Sequence, residues 1–138
     1  MTAPSPATTK VMKANRSKDT GPEVRLRQLI RQSGITGYRK NYPGLPGKPD
    51  VYFSKTGVAV YIHGCFWHRC PHCKPNLPKS NVDFWEAKFN ANRSRDTRVK
   101  SELRRMGVSS VTIWECQLKR KPTYCVGRIK SNLKKKSK

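Results

Sequence analysis

The segment from Ile62 to Cys73 reads I-H-G-C-F-W-H-R-C-P-H-C and crowds three kinds of chemistry into one turn. Cys65, Cys70 and Cys73 are soft metal ligands, His63, His68 and His72 carry protons near neutral pH, and Phe66-Trp67 is a pair of flat apolar wedges. All three histidines and three of the five cysteines of the chain fall inside this stretch. The other elements are therefore read for how they hold it.

The cysteines form a C-x4-C-x2-C run, and Cys116 follows a strand-like segment far downstream, so four thiolates can close one tetrahedral zinc site. His72 competes with its neighbour Cys73 for a place in that set, and the spacing leaves the choice open. The chain shows no signal peptide and no long apolar span, which favours a metal knuckle over a disulfide in a cytoplasmic protein. His68 is left outside the knuckle. A free imidazole titrates near ~6.5 and can take a proton from water, although a substitute ligand or a satisfied core histidine fits the spacing equally well.

The 138 residues, 35% of them hydrophobic, suit one domain with a modest core that a bound metal would staple. Residues 1–14 read as a disordered basic arm, 15–133 as the domain and 134–138, K-K-K-S-K, as a basic tail. Asp19 or Thr20 can cap a helix with Pro22 in its first turn and Leu26, Leu29 and Ile30 along one stripe, ended by Gly34. Glu23, in that first turn, reads most simply as a carboxylate favouring the helix dipole. Tyr38–Tyr42 reads as a strand, P-G-L-P-G-K as a loop, and Pro49–Phe53 with Val58–Ile62 as a hairpin. Asp50 then stands at the entry to a core strand, either as a hard-metal ligand or as a loop cap.

Asn81 to Asp83 can cap a helix that carries Phe84, Trp85, Lys88 and Phe89 and ends at Asp96; helix resumes from Thr97 to Met106 and Gly107 ends it. Val108–Trp114 is a strand that delivers Glu115 and Cys116, and Pro122–Leu133 is a last helix. This order predicts an α/β fold, a mixed β-sheet with helices on its faces. The balance of 30 Lys+Arg against 8 Asp+Glu gives a net charge of +22. Such a charge points to phosphate backbones and to binding that weakens steeply with salt. A membrane surface fits less well, since no long basic amphipathic helix separates a lysine face from an aromatic one.

The ordered set G-P-E, L-P-G-K-P-D, H-G-C-F-W-H, F-W-x-x-K-x-x-x-N-x-x-R-D and W-E-C, spread from about Lys13 to Leu118, resembles the very-short-patch repair (Vsr) DNA mismatch endonucleases. The resemblance implies a restriction-endonuclease-like core, acting as a monomer on double-stranded DNA in a bacterial or archaeal nucleoid, in company with other repair proteins. It implies nicking of one strand beside a T·G mispair, the lesion left by deamination of 5-methylcytosine. Asp50 would hold catalytic magnesium with the main-chain carbonyl of Ile62 nearby, and His68 would be the general base. Glu23, His63 and Asp96 fall on the other polar active-site positions, Phe66, Trp67 and Trp85 on the aromatics that enter the base stack, and Cys65, Cys70, Cys73 and Cys116 on the structural zinc positions.

Two departures stand out. The acid-x-lysine usual in this nuclease core is missing, because the strand after Asp50 ends Tyr61-Ile62-His63. Cys70 occupies a position where relatives carry histidine, and Pro71-His72 shifts the next ligand. A zinc-knuckle module that binds nucleic acid without catalysis, and a restriction nuclease that cuts paired DNA, are the competing readings.

Overall fold

The computed structural model describes residues 21–136. The predicted caps Asp19 and Thr20, the N-terminal arm and the last two residues lie outside these. The elements run α1 (Gly21–Gln32), β1 (Arg39–Lys40), β2 (Val51–Phe53), β3 (Val58–His63), α2 (Cys65–His68), α3 (Val82–Arg105), β4 (Ser109–Trp114), α4 (Glu115–Arg120) and α5 (Pro122–Lys136). The sheet order is β1-β2-β3-β4, with β1·β2 and β2·β3 antiparallel and β3·β4 parallel in the register Val60↔Val111 and His63↔Trp114. This is the predicted mixed sheet of an α/β fold.

Alternation along the strands sends side chains to two cores. Val51, Phe53, Val58, Val60, Val111 and Ile113 pack with Leu26 and Ile30 of α1 and Cys125 and Ile129 of α5. Ala59 and Tyr61 face the other way and pack with Leu45 and Leu103 of α3. His63 shares the parity of Ala59 and Tyr61, so the end of β3 presents it on the side where α3 lies. Gly47 is held at φ +75 with Val99 of α3 so near that an added Cβ would sit 3.0 Å from its Cγ1. Only glycine fits this close approach, which docks the loop before Asp50 onto α3.

Gly34 (φ +79) closes α1 as expected: Ile35 N–H bonds Ile30 C=O and Gly34 N–H bonds Arg31 C=O, the two bonds of a Schellman cap. Gly107 closes α3 through the equivalent pair, Val108 to Leu103 and Gly107 to Arg104.

Several boundaries differ from expectation. The strand predicted over Tyr38–Tyr42 shrinks to Arg39–Lys40, because Asn41 turns to φ 49 before Pro43. The two helices predicted on either side of Asp96 form one helix of 24 residues. Its N-cap, Asn81, sits at φ 55 and makes no side-chain capping bond. The short helices α2 and α4 were not anticipated, since four and six residues are too few to show a helical period. The last helix runs past Leu133 into the lysine-rich end.

Candidate active site and cysteine cluster

A cleft of about 290 Å³ opens where β2 begins and β3 ends, and Glu23, Asp50, His63, His68 and Asp96 all line it. All five polar residues picked out in the sequence therefore converge, although they come from α1, the start of β2, the end of β3, α2 and α3. Glu23 is 6% exposed, far more enclosed than a carboxylate that merely favours a helix dipole. The bland reading of Glu23 is thus incomplete.

Asp50 Oδ2 accepts the Ile62 N–H at 2.7 Å, and the Asp50 N–H donates to Val60 C=O at 2.9 Å. Alternate residues of a strand turn their main-chain groups to the same edge, so Val60 and Ile62 both present theirs to Asp50. Burial, and after it the neighbouring Glu23 charge, push the Asp50 carboxyl up to about 7 against the pull of the Ile62 hydrogen bond. Two acids crowded into one cleft form an oxygen donor set that a hard divalent cation suits.

This electrostatics sets a pH dependence. A carboxyl whose folded pKa is raised stabilises the fold below its unfolded value of 3.8 and loses that contribution as pH rises through about 7. A divalent cation held by Asp50 would compete with the proton for the same oxygens. We expect magnesium to raise the melting temperature clearly at pH 8 and little at pH 5.5; an equal shift at both values would place the cation elsewhere.

His68 Nδ1 lies 2.6 Å from Asp96 Oδ2. With Nδ1–H donated to that carboxylate, Nε2 is left as the proton acceptor. Burial would raise the Asp96 carboxyl, but the hydrogen bond from His68 and the charges around it hold it below the ordinary carboxylate range. The His63 ring stacks on His68 at 4.0 Å between centroids and 8° between planes. Its Nδ1 is buried without a hydrogen bond and stands 4.0 Å from the same Asp96 oxygen. Burial, and then the neighbouring His68, lower His63 to about 4, so at neutral pH it is an uncharged wall for its neighbour.

Four sulfurs, those of Cys65, Cys70, Cys73 and Cys116, lie within 4.8 Å of one another. Of the two neighbours that the spacing left open, Cys73 lies with the other sulfurs, while the His72 ring lies edge-on to Trp114 at 6.4 Å. Main-chain N–H groups of His72 and Cys116 point at the sulfurs of Cys70 and Cys65, each at 3.3 Å. Burial disfavours the Cys70 thiolate, yet N–H groups of Cys73 and His72 outweigh it and hold that thiol below its ordinary value; burial pushes Cys65 up. A cation among the four sulfurs would remove the conflict, and the all-thiolate set suits zinc.

Phe66 and Trp67 do not stand alone. Phe66 contacts Trp85 at 5.5 Å and Phe89 at 5.2 Å, Trp67 contacts Trp85 at 5.6 Å, and Phe84 extends the group. The Arg69 guanidinium lies 4.5 Å from the Phe89 ring centre. Phe66 is half-buried, whereas Trp67 is 39% exposed at the rim. The sequence reading missed Phe84 and Phe89 as partners, Trp114 as the edge-on neighbour of all three histidines, and Lys48, Arg95 and Lys100 as cleft residues. Helical spacing from Asp96 would have pointed to Lys100; nothing local marks Trp114.

An acid pair and a histidine–carboxylate pair opening onto one cleft, in a chain of net charge +22, are the equipment of a DNA endonuclease. Comparison with known proteins agrees. The model of the family described as DNA mismatch endonuclease Vsr matches residues 5–74. The chain is 43% identical over 111 residues to the Type II nicking enzyme V.NmeAIP of Neisseria meningitidis serogroup A, covering 80% of this chain and 79% of that protein. It is 38% identical over 108 residues to the Type II nicking enzyme V.XorIIP of Xanthomonas oryzae pv. oryzae, covering 78% and 79%. It is 35% identical over 111 residues to the DNA mismatch endonuclease Vsr of Escherichia coli, covering 80% and 70%. The chain belongs to the Vsr endonuclease family. Among the described residues no helix is long and apolar enough to cross a membrane.

Proposed function

We propose that this endonuclease nicks one strand of duplex DNA beside a T·G mispair, with His68 as general base. The observation that carries the reading is the 2.6 Å bond between His68 Nδ1 and Asp96 Oδ2, made in the same cleft as Asp50. Asp96 orients the ring, His63 stacks against it, and Nε2, not engaged by Asp96, would take the proton of an attacking water. Asp50 and the Ile62 carbonyl would hold magnesium, which supplies polarisation of the phosphate and acidification of water. Glu23 is the second acid, beside Asp50. The core is restriction-endonuclease-like in this reading, supported by a mixed sheet that carries Asp50 at a strand entry.

The four cysteines would hold a structural zinc, closed to substrate. Because Cys65 opens α2 and Cys70 follows it, the ion would fix Phe66, Trp67 and His68 between two ligands. We expect one zinc per chain and unfolding on chelation; metal content near zero with full activity would reject the site.

The exposed edge of the aromatic group is the wedge. A T·G pair stacks nearly normally, so an enzyme can find it by how easily the step opens, and unstacking costs least where pairing is imperfect. Replacing Phe66 or Trp67 with alanine should lower the preference for T·G over T·A duplexes roughly 5- to 100-fold, since a base–aromatic contact contributes ~1–3 kcal/mol. Unchanged preference in both variants would make the group a core cluster and nothing more.

The whole reading is tested by magnesium-dependent nicking of matched and T·G duplexes in several sequence contexts. Single-strand cuts confined to T·G duplexes are the expected result. Double-strand cuts in fully paired DNA would indicate a restriction nuclease instead, and binding without cleavage would indicate a non-catalytic module.

A further inference from the structure

Three carboxylates, Glu23, Asp50 and Asp96, line the cleft into which a phosphodiester must bring a further negative charge. Strand β3 ends Tyr61-Ile62-His63 and brings no cation to that edge. The cations that do line the cleft are Lys48, Arg95 and Lys100. Lys48 belongs to the loop before Asp50, where its backbone is turned to φ 50. Arg95 sits ~100° around the helix from Asp96.

Lys100 is differently placed. It lies four residues after Asp96, so the two share a face of α3, together with Val99 and the buried Leu103 that anchor this stretch against the sheet. Its positive charge is felt by both Asp96 and His63. Among the described residues no ion pair within 4.0 Å joins its ammonium to a carboxylate, although Asp96 lies one turn before it. A lysine held on a rigid helix beside the histidine–carboxylate pair, and not neutralised by either, is available to a phosphate.

We propose that Lys100 contacts the substrate, its ammonium holding a non-bridging oxygen of the scissile phosphate and offsetting charge there as water attacks. The cation that β3 does not provide is thus delivered from the opposite wall by α3. This inference rests on the cleft being the nuclease site, as proposed above.

The test uses the metal-loaded enzyme with a T·G duplex, and the variants Lys100→Met and Lys100→Arg. In single-turnover nicking at saturating DNA, Lys100→Met should be slower by a factor on the order of 10 to 100, the size of a lost hydrogen bond between charged groups. Lys100→Arg should recover most of the rate. A second arm measures binding with calcium in place of magnesium, using duplexes whose scissile phosphate is normal or a neutral methylphosphonate. The parent should distinguish the two duplexes, and Lys100→Met should distinguish them several-fold less, the remainder coming from the calcium.

A parental nicking rate in Lys100→Met overturns the proposal. So does a variant that still discriminates the neutral duplex as strongly as the parent, since its lysine would then act away from the scissile group. If the parent fails to nick T·G duplexes at all, the proposed function falls instead, and the binding arm still decides whether Lys100 reads that phosphate.

Discussion

Nicking is expected to vanish when Asp50 is replaced by alanine, while affinity for duplex DNA survives or rises. Among the described residues, Asp50 is the carboxylate that both stands at a strand entry and accepts a main-chain N–H of the neighbouring strand, so its oxygens are fixed in place. In the proposed mechanism its loss would remove the ligand that holds magnesium at the phosphate, and would also take a negative charge from the path of the DNA. Asp50→Asn separates charge from shape, since its amide oxygen can still accept from Ile62. Because burial and Glu23 raise the Asp50 carboxyl to about 7, the ionised acid is destabilising at pH 8 without metal. The asparagine variant should therefore be inactive with magnesium yet melt no lower than the metal-free parent at that pH. Manganese should restore part of its rate, being another divalent ion that carboxylate, carbonyl and water ligands suit. Nicking by Asp50→Asn within tenfold of the parent would remove Asp50 from the metal site.

His68→Ala is expected to slow nicking by a factor on the order of 100 to 10,000, the range for losing a positioned general base. Extra magnesium or manganese should not restore it, whereas added imidazole should do so in part, and this contrast distinguishes a lost base from a lost ligand. Asp96→Asn should slow the reaction less, because the imidazole remains but its Nδ1–H loses a charged acceptor. If His68→Ala retains its zinc and nicks at the parental rate, the proton acceptor lies elsewhere. His63, stacked on it at 4.0 Å, is the next residue to replace.

Local signals carried much of this architecture into the sequence. Gly34 and Gly107 marked helix ends because left-handed caps demand a residue without a Cβ, and both caps are present. The hairpin was legible from β-branched and aromatic runs around a turn. The cysteine cluster was legible from spacing, except for its third member, since adjacent Cys73 and His72 differ only in which side of the turn they face. What lay hidden depends on contacts between distant elements. Glu23 looks like any first-turn acid until α1 packs against the sheet and brings it beside Asp50. Phe66 and Trp67 were grouped with Trp85 only through the resemblance, and Phe89, which also packs on Phe66, lies 23 residues away. Lys100 was unremarkable on a helix that was read as two pieces, because the break placed near Asp96 severed the face the two residues share.

The continuity of α2 has a consequence for the product. Trp67, the exposed indole, and His68, partner of Asp96, are consecutive residues of one helical turn that begins at Cys65. As neighbours on one turn they leave the helix ~100° apart, on a backbone that moves as one piece. If Trp67 is the wedge and His68 the base, as proposed, neither can shift without the other, and the nick would keep one register to the opened step, leaving the same terminus each time.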